Sequence, residues 1–410
     1  MYNNLYIYIL ILIIIAIIVY LSYYLYKKLM SYNTLIHNTI NDFNKKDKLN
    51  INNKSNTNND ITNNSSNNIN NNITNNININ DNDKFKYLYE PVEYYKLQKG
   101  KNMRNHITNF VGKYFNIRQE LIDEATNYAN ELHNSSLIID DIQDGSLKRR
   151  EMDCAHIVYG MPVSLSSAYL NIFKVLSDKA NTNSSLINVD NFKELDEYKN
   201  LSEDQIKQLV SYKGLQVALK NAYLAHLGQA LDIYWANKKI IPSEEEYYYM
   251  INAKTGLGFT SCLDLFNSLT TNISNEEYNK FNNVLTKFSQ FFQIRDDYIN
   301  LTDPDFWAKK GFCEDFDEKK YSYLIIKYNN NLLVSKEEKE QFFELFYKDK
   351  LTNQDKSALI KKLELAGIFN ETYDLLIGLK DEINRTVNLD FIFDMLPVNK
   401  FDLASIKKYC

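Results

Sequence analysis

The chain has 410 residues with only 11 Gly and 5 Pro, enough for a large core and poor in turn punctuation, so long helices are favoured. Its net charge is −5, from 47 Lys and Arg against 52 Asp and Glu, which leaves no global electrostatic case for nucleic-acid binding. The four cysteines, Cys154, Cys262, Cys313 and Cys410, form no CxxC pair and the five histidines stand alone, which argues against a disulfide scaffold or a zinc site.

In chain order, residues 5–26 come first, 22 positions without a charge. At about 1.5 Å per helical residue that length crosses a bilayer core of about 30 Å. Tyrosines flank the run and Lys27 and Lys28 follow it. The pattern predicts a transmembrane anchor over residues 1–30 with the rest of the chain in the cytosol, and an endoplasmic-reticulum membrane is the expected location. Residues 51–82 hold 17 asparagines in 32 positions, too little apolar area to offset chain entropy, so 31–84 reads as a disordered linker. From 85 to 410 the apolar residues recur at three- and four-residue spacing, as in GLGFTSCLDLFNSL and LTKFSQFFQIRDDYINL, which predicts an all-α domain. Residues 177–213 are polar and irregular and predict a surface insertion between helices.

Two acidic clusters carry the chemistry. In ELHNSSLIIDDIQDGSLKRR, helical periodicity puts Asp140, Asp141 and Asp144 on a single arc, with Asp144 between the other two in direction. Three carboxylates on one arc repel one another unless hard cations or water screen them. In FFQIRDDYINL, the same count puts Gln293, Asp296, Asp297 and Asn300 on one arc, with Asn300 between the two aspartates. Two such helices facing each other fit a diphosphate held through several magnesium ions. Basic residues accompany them: Lys101 and Arg104, Arg149 and Arg150, Lys254 beside Thr255, Lys310 and Lys320. Singly, each is more often a surface charge than a ligand.

With GKNMR, AHIVYG, GQALDIYW, AKTG and KGFCEDFDEKKYS added in order, the sequence resembles the trans-isoprenyl diphosphate synthases, most closely the eukaryotic geranylgeranyl diphosphate synthases. The resemblance covers nearly all of 85–410 outside 177–213. It implies an all-α bundle around a central cavity, a homodimer, and condensation of isopentenyl diphosphate with an allylic diphosphate. By resemblance, Asp140, Asp141, Asp144, Asp296 and Asp297 hold Mg2+. Arg149, Lys254, Thr255, Gln293, Lys310 and Lys320 match residues that bind the allylic diphosphate. Lys101, Arg104, His133 and Arg150 match the isopentenyl diphosphate site.

Three positions depart from the family pattern: Lys319 stands where glycine is usual, Leu324 where proline often follows, and Asn300 in place of a last aspartate. Ser135 and Ser136 occupy positions where farnesyl synthases commonly place aromatic rings. Serines there leave a tunnel open and imply a twenty-carbon product, with a deeper floor expected from Tyr169, Ile172 and Phe173. Competing readings are a farnesyl or longer-chain synthase, a terpene cyclase, and a catalytically silent membrane-tethered subunit.

Overall fold

The computed structural model describes residues 85–98, 100, 102–150, 152–180 and 186–409. Helices dominate these residues, as the spacing predicts. The long elements are α1 (Glu90–Lys96), α2 (Met103–Tyr114), α3 (Gln119–Asp144), α4 (Met161–Ala180), α5 (Glu203–Lys238) and α6 (Glu244–Ile251). They continue with α7 (Leu257–Leu269), α8 (Asn275–Thr302), α9 (Tyr323–Asn330), α10 (Lys336–Phe346), α11 (Asn353–Leu365) and α12 (Ile368–Thr386).

Local sequence explains where many of these begin. Ser202, Ser243, Ser274, Ser335 and Thr352 each cap a helix and face Gln205, Glu246, Glu277, Glu338 or Asp355 three residues on, and each pair closes a reciprocal capping box. Helix α7 sits at the centre, touching α2, α3, α5 and α8. That position explains why LGFTSCLDLFNSL is apolar nearly all round, with Phe259, Leu263, Leu265 and Phe266 almost wholly buried. Helix α3 packs against α1, α2, α4 and α7, and its Ile138 and Ile139 bury against Val92, Tyr95, Ala155, Ala168 and Ile172. Each such aliphatic side chain contributes about 1.5–3 kcal/mol by leaving water.

Two expectations are corrected. No helix among the described residues is long and apolar enough to cross a membrane. The endoplasmic-reticulum anchoring read from residues 1–30 thus has no support in the structure; that run and the 31–84 linker lie outside the described residues. Nor is 177–213 simply an irregular surface insertion. Helix α4 continues to Ala180, a short helix spans Val189–Lys193, and α5 already starts at Glu203. Ile187, Val189, Phe192, Tyr198, Ile206 and Val210 join the main core. Apolar residues spaced among many charges hid this packing. A two-residue antiparallel ribbon, Lys148–Arg149 with Met152–Asp153, is a further element that the spacing did not suggest.

Candidate active site

The first acidic cluster closes α3. Gly145 takes φ +67°, the left-handed conformation that ends helices, so Asp144 is the last helical residue and keeps an exposed edge. The three aspartates do not share one surface. Asp140 receives Gln229 Nε2 at 3.0 Å and Arg149 Nη2 at 3.1 Å, with Lys254 Nζ 3.6 Å away. Asp141 is fully buried and turned to the other side. Arg149 Nε donates to its two oxygens at 2.7 and 2.9 Å, and the Tyr95 hydroxyl donates to Oδ2.

Charge balance differs along the cluster. Burial pushes the Asp140 carboxyl up, but Lys254, Arg149 and Lys320 outweigh it and hold the group below the usual carboxylate range. Burial of its carboxyl, with Asp140 and Glu318 nearby, pushes Asp144 up to about 7.

The second cluster lies near the end of α8 and repeats the division. Asp296 is half-buried. Asp297 is buried and accepts from Tyr247 Oη at 2.6 Å, Gln293 Nε2 at 2.9 Å and the Tyr323 amide at 2.9 Å. Burial raises its pKa although Lys320 stands 3.8 Å away. Asn300 spends both ends of its amide on Asp315: Nδ2 donates to the carboxylate at 3.0 Å and Oδ1 accepts its backbone N–H at 3.3 Å. It therefore holds the following loop.

Lys254 and Lys320 stand between the clusters. Lys254 and Thr255 lie on a π turn, Asn252–Gly256, that α5 approaches closely. A Cβ on Gly228 would sit 2.5 Å from the Lys254 backbone nitrogen, so only glycine permits this contact. Lys254 Nζ pairs with Asp232 at 2.8 Å. Thr255 Oγ1 donates to Gln293 Oε1 at 2.6 Å, tying the π turn to α8. Burial lowers the Lys320 pKa, but Asp315, Asp297, Asp232 and Glu318 surround it and raise it well above the ordinary value. Lys319 adopts φ +57°, which explains why glycine suits that position.

A second pocket of about 240 Å³ lies earlier along α3, between Asn127 and Asn134, lined by Arg104, His133, Arg150, Gln98 and Tyr95 among others. The ribbon sends adjacent arginines to different places. Arg149 reaches Asp141, whereas Arg150, at φ +51°, turns back to donate Nη1 to the Gln98 carbonyl at 2.8 Å. Burial and Arg150 lower Arg104 to about 10; burial and the three guanidiniums hold His133 well below its ordinary value, and neutral. A larger cavity, about 620 Å³, shares Lys96, Asn127 and Glu131 with this pocket. It is removed from both acidic clusters, and Lys96, Lys174 and Lys179 on its wall are paired to acids.

Of the residues singled out from sequence, Lys101 and the Lys310 side chain lie outside the described residues. Arg149, Lys254 and Lys320 come together around the clusters, and Arg104, His133 and Arg150 share the smaller pocket. The two serines separate. Ser135 is wholly buried and accepts Asn171 Nδ2 at 3.0 Å, while Ser136 is only half-buried. Of the expected floor residues only Ile172 is buried; Tyr169 and Phe173 are 42% and 67% exposed, so they face outward. Sequence reasoning missed Tyr95, Tyr247, Asp232, Gln229 and Asp315. GQALDIYW contains Gln229 and Asp232, but nothing in their spacing points at Asp140 or Lys254.

Several known proteins are similar to this chain. A geranylgeranyl pyrophosphate synthase of Dictyostelium discoideum is 31% identical over 246 residues, 60% of this chain and 70% of that protein. A geranylgeranyl pyrophosphate synthase of Penicillium paxilli is 28% identical over 297 residues, 72% of this chain and 70% of that one. A sesterterpene synthase of Neocamarosporium betae is 28% identical over 296 residues, and the match spans only 37% of its length. The crystal structure of a geranylgeranyl pyrophosphate synthase aligns with a TM-score of 0.59 at 18% identity, covering 78% of this chain and 88% of that one, a likeness of fold. Residues 85–363, more than half of the chain and including both clusters and the cations between them, match the polyprenyl synthetase family, and the chain belongs to that family.

Proposed function

We propose that this chain condenses isopentenyl diphosphate with an allylic diphosphate and makes geranylgeranyl diphosphate. The observation that carries the reading is convergence. Two acidic clusters 156 positions apart in sequence (Asp140 and Asp296) meet over Lys254 and Lys320, beside a separate arginine-lined pocket. One diphosphate belongs at each place. The family relatives named as geranylgeranyl pyrophosphate synthases support the choice of product.

Magnesium fits the donors present. Among the described residues no three acid, histidine or cysteine side chains enclose a metal by themselves. Magnesium, however, takes one or two carboxylates and fills its shell with phosphate oxygens and water. Burial first, and then Asp140 and Glu318, raise Asp144 against the pull of Lys254 and Lys320, so a cation bound there would favour its charged form. Asp140, Asp144 and Asp296 are the side chains that would hold the ions, because they keep exposed surface whereas Asp141 and Asp297 are buried among their own donors. When bound, magnesium supplies charge stabilisation for the departing diphosphate.

The chain's own residues do the rest. Arg149, Lys254 and Lys320, with Lys310 as an expected partner, hold the allylic diphosphate and stabilise the negative charge that grows on it as its carbon–oxygen bond breaks. Thr255 and Gln293 fix the π turn that carries Lys254. Arg104, Arg150 and His133, with Lys101 as an expected partner, bring the isopentenyl double bond to the allylic carbocation. The released diphosphate accepts the proton lost from the new chain. Ser136, half-buried one turn before Asp140, leaves room for the growing chain. The enzyme works as a homodimer, a reading supported by apolar side chains that α4 and α5 leave exposed.

The test is to incubate the full chain with isopentenyl diphosphate, each allylic starter and magnesium, and to identify the products by mass. A twenty-carbon diphosphate is expected. Asp140→Ala is expected to lower turnover by about 10²-fold or more, the scale of losing electrostatic stabilisation of the transition state. A fifteen-carbon main product would defeat the chain-length reading, and a cyclised hydrocarbon would favour a cyclase.

A further inference from the structure

We propose that Tyr95 is a positioning residue: its hydroxyl, by holding Asp141, fixes the guanidinium of Arg149 for the allylic diphosphate. The inference rests on the reading that Arg149 binds that group. Asp141 has no exposed surface, and a buried carboxylate is costly unless its lone pairs are satisfied. Arg149 satisfies part of it from Nε and Nη2, and Tyr95 donates to Oδ2. The Tyr95 oxygen is itself held by the Ala155 amide at 3.3 Å, so its direction is set by backbone. With the Nε–Nη2 edge of the fork committed to Asp141, Nη1 is the corner left to meet a ligand.

Helix α1 and the residues just after it grip the arginine ribbon at other points as well. Tyr94 donates to the Asp153 carbonyl at 2.9 Å, and Arg150 donates to the Gln98 carbonyl at 2.8 Å. Those contacts hold backbone, whereas Tyr95 alone among them touches the charged network. The second cluster has the same construction on different elements. Buried Asp297 receives the Tyr247 hydroxyl at 2.6 Å and faces Lys320 at 3.8 Å. In both clusters the buried aspartate orients a cation and a tyrosine orients the aspartate.

The experiment measures binding of inorganic diphosphate with magnesium by calorimetry for wild type, Tyr95→Phe, Asp141→Asn and the double variant. Phenylalanine keeps the ring that packs beside Ile138, so folding is retained and a melting curve verifies it. Tyr95→Phe is expected to weaken diphosphate binding about tenfold or more, the scale of losing one hydrogen bond to a charged group. In the Asp141→Asn background it is expected to add less than about twofold, because a residue acting through another is non-additive with it. The magnesium concentration at half-saturation is expected to stay within about twofold of wild type in both single variants, since neither residue ligates metal. Full additivity, unchanged diphosphate affinity in Tyr95→Phe, or a magnesium shift in Asp141→Asn would each overturn the proposal. Failure of the wild-type chain to bind diphosphate at all would overturn the reading beneath it as well.

Discussion

Asn300 illustrates what a single side chain decides. A carboxylate there could not donate to Asp315, whose buried acid is already pushed well above its ordinary range by burial and by Glu318, Asp297 and Asp296. Asn300→Asp is therefore expected to set two carboxylates against each other in the core. The predicted cost is about 3 kcal/mol, the scale of a buried uncompensated charge, read from urea denaturation at neutral pH. The loss is expected to shrink as pH falls, because protonation of either carboxyl restores a donor. Equal stability of the two proteins at neutral pH would show that the contact is not the one described. The substitution from the family's usual aspartate is legible in the sequence; its reason, a neighbour 15 positions on, is not.

At the scale of elements, the π turn and α5 depend on one another. Lys254 reaches Asp140 and Asp232 because the widened turn lets the chain lie against Gly228. Gly228→Ala would place a methyl 2.5 Å from the Lys254 nitrogen and 2.9 Å from the Met250 carbonyl, both backbone atoms that cannot swing aside. Overpacking of that kind typically costs about 1–3 kcal/mol. Displacing Lys254 by about 1 Å is expected to lower turnover by about 10²-fold, more than stability alone accounts for. Steady-state kinetics on folded protein, with a melting curve beside them, checks it; a stable variant with wild-type turnover would remove Lys254 from the site.

For the molecule as a whole, the outward face of α4 bears on assembly. Leu170 and Phe173 are 37% and 67% exposed there, and on α5, which packs against α4, Leu219 and Tyr223 are 48% and 66% exposed. If these side chains meet a second copy, Leu170→Asp with Phe173→Asp is expected to convert a dimer to a monomer in sedimentation equilibrium. Apolar side chains at an interface core are worth roughly 1–3 kcal/mol each, so two buried charges should raise the dissociation constant by several orders of magnitude. A monomeric wild type, or an undisturbed dimer in the variant, would place the interface elsewhere.

Much of this protein is written locally. The serine and threonine caps, the three- and four-residue apolar spacing and the two acidic clusters are properties of a few neighbouring residues, so helices and reacting groups can be read before any packing is known. The helical count also places Asp144 nearer in direction to Asp140 than Asp141 is, and the folded chain keeps Asp140 and Asp144 close enough for their charges to interact. What the count could not supply is the azimuth of α3 against its neighbours. Only packing of Ile138 and Ile139 on α1 and α4 turns Asp141 inward to Tyr95 and Arg149 and buries Ser135 against Asn171. Likewise Asp232 meets Lys254 and Tyr247 meets Asp297 from segments 22 and 50 residues away. A residue's type and its helical phase are local, but which way that phase points is set by the lowest-energy burial of all the helices together, and that arrangement exists only in the folded chain.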